Sequence, residues 1–403
     1  MSRPGFLISL LAAFVLLPVF VPDLRAQTAD DLFAADTLKE IRLVMSSRDL
    51  QQLRARYDEN TYYAVDFEWQ DMRIRNAAVR SRGAASRNPV KPGLQIHFDR
   101  FVTDQRLLGL DSLVLDNLWQ DPSMLREHVA MAFFARMGEP APRESFCRLY
   151  INNVFQGVYA IVEDVAQPFL TRTFTKSDGV LFEYKNVRHF TGEDLGDDLS
   201  AYKLLFEPRT HKKDADTVLY TPIRDLFREV NHADDAVWRE RVEALIDLKQ
   251  LVRYVAIEAF LAEPDGLLGF SGMNNFYLYR PSGTTRHRLI PWDKDLSFSG
   301  MDTPIMHEQE ENELFRRAMA YDDLRELYFR KLEQCARSAR SESWLLSTIT
   351  TLASLIGDAA HDDTFKPITN QEFNRAVVSL KKFARQRSGY ILQSVDTVRL
   401  AAK

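Results

Sequence analysis

The sequence predicts an α+β protein of two lobes, a strand-rich N-lobe followed by a mostly helical C-lobe. Three observations predict it. Short apolar runs with strand-like alternation dominate Glu40 to Asp99. Apolar residues at helical spacing take over from Thr221 onward. Between them, two clear strands end at Glu163-Asp164-Val165, a crossing point between the halves. A chain of 403 residues also exceeds one small core. The expected divisions are a leader at 1–26, an N-lobe at 27–165 and a C-lobe at 166–403, whose central segment is 257–298.

The leader reads as a secretory signal peptide. Arg3 precedes an apolar run from Phe6 to Val21, and Leu24-Arg25-Ala26 supplies a cleavage signal. No later apolar run is long enough to span a bilayer, so the expected product is exported, periplasmic or extracellular, and free of the membrane after cleavage. A hydrophobic content of 45% and a charged content of 27% are those of a globular protein. The formal net charge of -5 lacks the basic bias that a nucleic-acid partner demands, and none is expected. The histidines show no HExxH-type spacing. Cys147 and Cys335 are either a disulfide or two buried thiols.

In chain order, Ile41 to Met45 alternates, and Ser46-Ser47-Arg48-Asp49 opens a short helix. Ala64 to Trp69, Met72 to Ile74 and Ala78 to Val79 alternate again. A small-residue loop crowded with arginine, Arg80 to Arg87, leads through Lys91-Pro92-Gly93 into the strand Leu94 to Phe98. Backbone amides in such a turn, flanked by Arg and Lys, form an anion-binding nest or a solvated hairpin turn. The loop lacks the GxxxxGK[ST] pattern of a P-loop. Asp121-Pro122-Ser123 starts a helix to about Met137, with Arg126 and Glu127 in its first turn. Strands at Phe146 to Ile151 and Gly157 to Val162 follow, then a helix at Gln167 to Phe174 and an apolar run at Gly179 to Glu183. Residues Glu193 to Asp216 are charged and turn-rich, as in a flexible insertion. Thr221-Pro222 is expected to start a helix ending near Val230-Asn231, and Asp247-Leu248 to cap another that reaches Ala262. Further helices are expected at His307 to Cys335, Ser341 to Ala360 and Asn370 to Val395, the basic stretch Asn374 to Arg387 being a solvated face.

The chemistry concentrates in Ile257 to Phe298. Pro264 ends an apolar helix, and Asp265 follows at once. A loop spaced by Gly266, Gly269 and Gly272 leads to Asn274-Asn275. Two strands, Phe276 to Tyr279 and His287 to Trp292, then deliver Asp293-Lys294-Asp295. A carboxylate, two amides and a carboxylate pair on loops and strand ends are the oxygen ligands of a hard cation such as magnesium, with room for phosphate. The same residues also serve as turn caps and solvated strand ends in many proteins.

These segments, in this order, resemble the CotH family, the spore-coat protein H type of atypical protein kinases. The matching points are Arg82-Gly83 through Ser86-Arg87 with Lys91, Ser123-Met124-Leu125-Arg126, Leu149-Tyr150-Ile151-Asn152-Asn153 with Gly157-Val158-Tyr159 and Glu163, Asp265, Asn274 to Tyr279, and Pro291-Trp292-Asp293-Lys294-Asp295. The pair NNFYLY and IPWDKD is the most specific. The resemblance implies an atypical protein-kinase-like two-lobed fold that uses ATP and Mg2+ or Mn2+ to phosphorylate serine, or other hydroxyls, of protein substrates. It implies Asp265 as the catalytic aspartate, and Asn274, Asn275, Asp293 and Asp295 on the metal side. Arg82, Arg87 and Lys91 would face the phosphates, with Glu127 as an acidic partner of the lysine. Glu163 would serve the nucleotide base or a lysine, or cap a turn. The loop departs from the family pattern at Ala85 and Val90-Lys91-Pro92, leaving Lys91 its only lysine. Two other classes stay open: a metal-dependent nucleotidyl- or glycosyltransferase using the same DxD, and a non-catalytic surface or assembly protein.

Overall fold

The computed structural model describes residues 27–306 and 310–401. The expected signal peptide at 1–26 and the start of the expected helix at His307 lie outside the described residues. A short helix α1 (Ala29–Phe33) precedes β1 (Lys39–Val44), which turns Ile41 and Leu43 inward. Helix α2 (Ser47–Ala55) begins where the Ser46 hydroxyl accepts from the Asp49 N–H, an N-cap. Strands β2 (Tyr63–Trp69), β3 (Met72–Arg82), β4 (Gly93–His97) and β5 (Ser112–Asp116) then pair antiparallel in succession. β3 is one long strand where the sequence shows two short runs, and β5 has no counterpart in the sequence reading.

Helix α3 (Arg126–Arg136) starts later than expected because Asp121 caps it from outside. The Asp121 carboxylate accepts from the N–H groups of Ser123, Leu125 and Arg126, at 2.7 to 2.8 Å. The hairpin β6 (Glu144–Ile151) and β7 (Val154–Glu163) completes the first half. β7 lies against β5, and β6 runs parallel to β1, so the strands close as a barrel in the order β1-β2-β3-β4-β5-β7-β6. Closure leaves no strand edge open to another chain. Ile41, Phe67, Ile96, Leu113, Leu149 and Ile161 fill the interior. On the outer face, Val114, Phe146, Val158 and Val162 join a second core with Val129 and Phe133 of α3. β7 is therefore buried on both faces, which explains its nearly unbroken apolar sequence.

The second half opens with α4 (Gln167–Thr173), β8 (Val180–Tyr184), α5 (Leu199–Leu205), β9 (Phe206–Pro208), α6 (Asp216–His232), α7 (Asp235–Glu243) and α8 (Leu248–Leu261). The hairpin β10 (Phe276–Arg280) and β11 (Arg288–Pro291) follows, then α9 (Glu313–Met319), α10 (Asp322–Arg340), α11 (Trp344–Asp362) and α12 (Asn370–Ala401). Its sheet has the antiparallel order β11-β10-β8-β9. The helices pack around α8 and α10 in the same core that covers the barrel.

Three expectations are corrected here. The stretch Glu193 to Asp216 is not a loose insertion, since it contains α5 and β9 and buries Tyr202, Leu205 and Phe206. Helix α6 begins at Asp216 and runs through Pro222. The proline removes the hydrogen bond to the Val218 carbonyl, which accepts instead from Arg280 Nη2 at 3.1 Å. Arg387 is fully buried rather than part of a solvated face. Cys147 and Cys335 are both free and buried, and burial pushes the Cys335 thiol up to about 12. Among the described residues no helix is long and apolar enough to cross a membrane.

Candidate functional site

Helix α8 ends at Ala262, which takes a left-handed conformation at φ 51°. Arg387, reaching from α12, donates to the carbonyls of Ala259 and Phe260 at 2.5 and 3.0 Å and fixes that end. Asp265 follows with its N–H bonded to Glu263 Oε1 at 2.8 Å. The loop after it curls back on itself, the Phe270 N–H donating to the Pro264 carbonyl and the Asn274 N–H to Gly266. Gly269 is required in this curl, because a Cβ there would stand 2.8 Å from the Cα of Asp265.

The curl returns both asparagines to the aspartate. Asn274 Nδ2 and Asn275 Nδ2 donate to Asp265 Oδ2 at 3.0 and 3.1 Å. The second oxygen, Oδ1, accepts the Ser271 hydroxyl at 2.8 Å. Each amide oxygen stays available, since an amide donates and accepts through different atoms.

The β10–β11 hairpin then brings the acidic strand end to the same place. The Trp292 N–H and the Lys294 ammonium both donate to the Asn275 carbonyl, at 3.2 and 3.0 Å. Lys294 is fully buried and pairs with Glu258 of α8 at 2.7 Å. Its neighbours Asp293 and Asp295 are therefore held on a rigid ridge, Asp293 at a φ of 49°. Burial, followed by the nearby Asp116 charge, pushes the Asp293 carboxyl up to about 6, against the opposing pull of Arg82 and Lys294. Burial and then Asp293 raise Asp295 well above the carboxylate range. Glu127, on α3, is raised likewise by burial and by Glu144, Asp116, Asp293 and Asp295. Among the described residues, no donor or cation is bonded to the carboxylates of Glu127, Asp293 or Asp295.

Besides Lys294, Arg82 is a cation placed against this group. It ends β3, pairs with Asp116 at 3.2 Å, lies over the Trp292 ring at 5.5 Å, and feels the charges of Asp293 and Glu127. The other three residues expected at the phosphates or nucleotide point elsewhere. Lys91 is buried, with its ammonium on the Val158 carbonyl at 2.8 Å and Asp363 at 2.7 Å, so Glu127 is not its partner. Arg87 donates to the carbonyls of Gly83 and Asp58 and to Asn60, which ties down the loop before β4. Glu163 is clamped by Arg143 and Arg172, each at 2.7 Å.

Sequence reasoning missed Asp116, Glu144, Glu258 and Ser271, and gave Lys294 no role of its own. Glu258 carried a signal, as the one acid inside the apolar α8, and so did Asp116 as the last residue of an apolar run. The donor set of hard oxygens, crowded and unpaired, fits a divalent cation. Among the described residues, however, no three acidic, histidine or cysteine groups are placed to hold one ion together.

The family model described as CotH kinase protein matches residues 79–391. The match runs from the end of β3 through all the site residues into α12. A similar protein is inner spore coat protein H of Bacillus subtilis (strain 168), 23% identical over 362 residues, which cover 87% of this chain and 95% of the relative.

Proposed function

The chain belongs to the CotH family, and from that premise we propose that it is an atypical kinase, exported, that transfers the γ-phosphoryl group of ATP to serine, or other hydroxyls, of protein substrates. The observation that carries this reading is the pairing of Asp265 with Asn274 and Asn275 beside the carboxylates of Asp293 and Asp295, which have no bonded partner among the described residues. Phosphoryl transfer needs little covalent help from a protein; it needs positioning and neutralisation of charge. Asp265 is fixed by two amides on one oxygen, and the other, to which the Ser271 hydroxyl donates, is the one that would receive the proton of an acceptor hydroxyl. Asp293, Asp295 and the amide oxygens of Asn274 and Asn275 would hold Mg2+ or Mn2+, and Arg82 would meet the phosphates in place of a lysine. A divalent ion bound there supplies neutralisation of the phosphate oxygens. The named relative is a spore coat protein; for this chain, action outside the cytoplasm rests on the N-terminal signal in the sequence.

The test is incubation of purified protein with γ-labelled ATP, Mg2+ or Mn2+ and a host extract. Asp265→Asn and Asp293→Asn are each expected to lower labelling by about a hundredfold or more, the loss typical of a key electrostatic group. Undiminished labelling by both variants removes the reading. The mass added to a modified protein separates phosphoryl from nucleotidyl or glycosyl transfer.

A further inference from the structure

The hydroxyl already bonded to the proposed base belongs to the chain itself. Ser271 Oγ donates to Asp265 Oδ1 at 2.8 Å, which is the relation an acceptor hydroxyl must have to a catalytic aspartate. Oδ2 is taken by the two asparagine amides, so Ser271 holds the oxygen left for chemistry. The same Oγ accepts from Asn186 Nδ2 at 2.9 Å. A hydroxyl has one proton and two lone pairs. With the proton on Asp265 and one pair on Asn186, the second pair is free to attack.

The surroundings hold Ser271 in that pose. It lies between Gly269 and Gly272, and Gly272 bridges to Phe190 at a spot where a Cβ would meet the Phe190 carbonyl at 2.6 Å. The Met273 N–H donates to the same carbonyl at 2.7 Å. The next residue back, Phe270, is 62% exposed and Ser271 itself is half-buried, so the curl reaches the surface at this point.

We propose that Ser271 is a self-acceptor, a phosphorylation site used in cis. This rests on the kinase reading above and deepens it. Ser271 Oγ forms a bond to the γ-phosphorus of a nucleoside triphosphate, and the bond from that phosphorus to the β,γ-bridging oxygen breaks. The nucleoside diphosphate leaves with the electron pair, and the Oγ proton passes to Asp265 Oδ1. Atoms and charge balance with no other reactant.

The experiment maps phosphate by peptide mass spectrometry on the full chain, as isolated and after incubation with γ-labelled ATP and Mn2+. Phosphate is expected on Ser271, absent from Ser271→Ala, and reduced about a hundredfold or more in Asp265→Asn. Ser271→Thr is expected to carry phosphate on the threonine, which shows that the position is what matters. The fraction modified per unit time is expected to be unchanged on tenfold dilution of the protein, as an intramolecular step requires. Label on other proteins or other residues, with none on Ser271, overturns this proposal and leaves the kinase reading standing. A rate that falls with dilution overturns the cis geometry. No label on any protein overturns both.

Discussion

Glu127, Asp293 and Asp295 are carboxylates packed within each other's fields without a bonded donor among the described residues, and that costs the fold stability at neutral pH. Asp293 illustrates the sign. Its carboxyl is pushed up to about 6, so its ionised form at pH 7 is disfavoured by the fold. Asp293→Asn removes that charge and is expected to stabilise the metal-free protein by roughly 1–2 kcal/mol, while abolishing stabilisation by Mg2+ with ATP. Thermal melts with and without both ligands check this; a variant that is destabilised without metal and still responds to it contradicts the assignment. His128 works in the opposite direction. Burial lowers it from 6.5 to about 4, so the folded protein keeps it neutral while the unfolded chain protonates it. The stability it supports is whole above pH 6.5 and is lost as pH falls toward 4, by about 3 kcal/mol. Its ring stacks on Phe146 at 5.1 Å and its Nδ1 is buried without a partner among the described residues, so His128→Phe keeps the packing. Denaturant unfolding at pH 7 and pH 4.5 is expected to show a smaller acid loss in the variant. An equal loss in both proteins would mean that other groups carry it.

Helix α8 and the loop after it show why part of the site was readable and part was not. Pro264, the three glycines, NNFYLY and IPWDKD act through neighbours in sequence, so their turn and strand chemistry is written locally, and Asp265, the asparagines and Asp293 do assemble. The supports are distant partners. Arg387 lies 127 positions from Phe260, whose carbonyl it binds, and nothing in the amphipathic pattern of α12 sets it apart from its solvated neighbours Lys381 and Lys382. The same holds for Lys91, which sits in a convincing anion loop yet bonds to Asp363, 272 positions away. Arg387 also donates to Met301 and Thr303, at 3.1 and 2.7 Å, so one guanidinium gathers four carbonyls around the start of the site loop. Arg387→Met takes the guanidinium from all four carbonyls, of which Ala259 keeps the Ala262 N–H, and is expected to cost about 2–4 kcal/mol. Arg387→Lys, a point charge without the planar fork, is expected to recover only part of it. Urea unfolding measures the loss, and hydrogen exchange of the amides in 262–275 is expected to accelerate first. Unchanged exchange there would show that α8 holds its end without α12.

The barrel and the helical half are packed together in this structure, because the outer faces of β5, β6 and β7 are part of the helical core and because a fully buried ion pair is among those that join the two. Asp363 follows α11, and its carboxylate accepts from Lys91 and from the Val158 N–H of β7, at 2.7 and 3.0 Å. It also accepts from the N–H groups of Phe365 and Lys366 at 2.9 and 3.0 Å, so the turn into α12 is built on the same group. Gly157 makes the approach possible. Its φ is +109°, and a Cβ at that position would stand 2.2 Å from the carboxylate. A buried ion pair adds little over apolar packing, but breaking it from one side strands a charge. Asp363→Ala is therefore expected to cost about 3–5 kcal/mol, by leaving the Lys91 ammonium unpaired inside the barrel end. Adding Lys91→Met to that variant is expected to restore part of the loss, and the double-mutant cycle gives the coupling. If the halves are one cooperative unit, tryptophan fluorescence from Trp69 in the barrel and Trp238 in α7 should report a single transition in the parent. Single-tryptophan versions of the Asp363→Ala protein are the sensitive case, since there the barrel is expected to melt before the helices. Coincident melting of both probes in that variant would mean that the shared apolar face alone couples the halves, and that the ion pair serves only the turn.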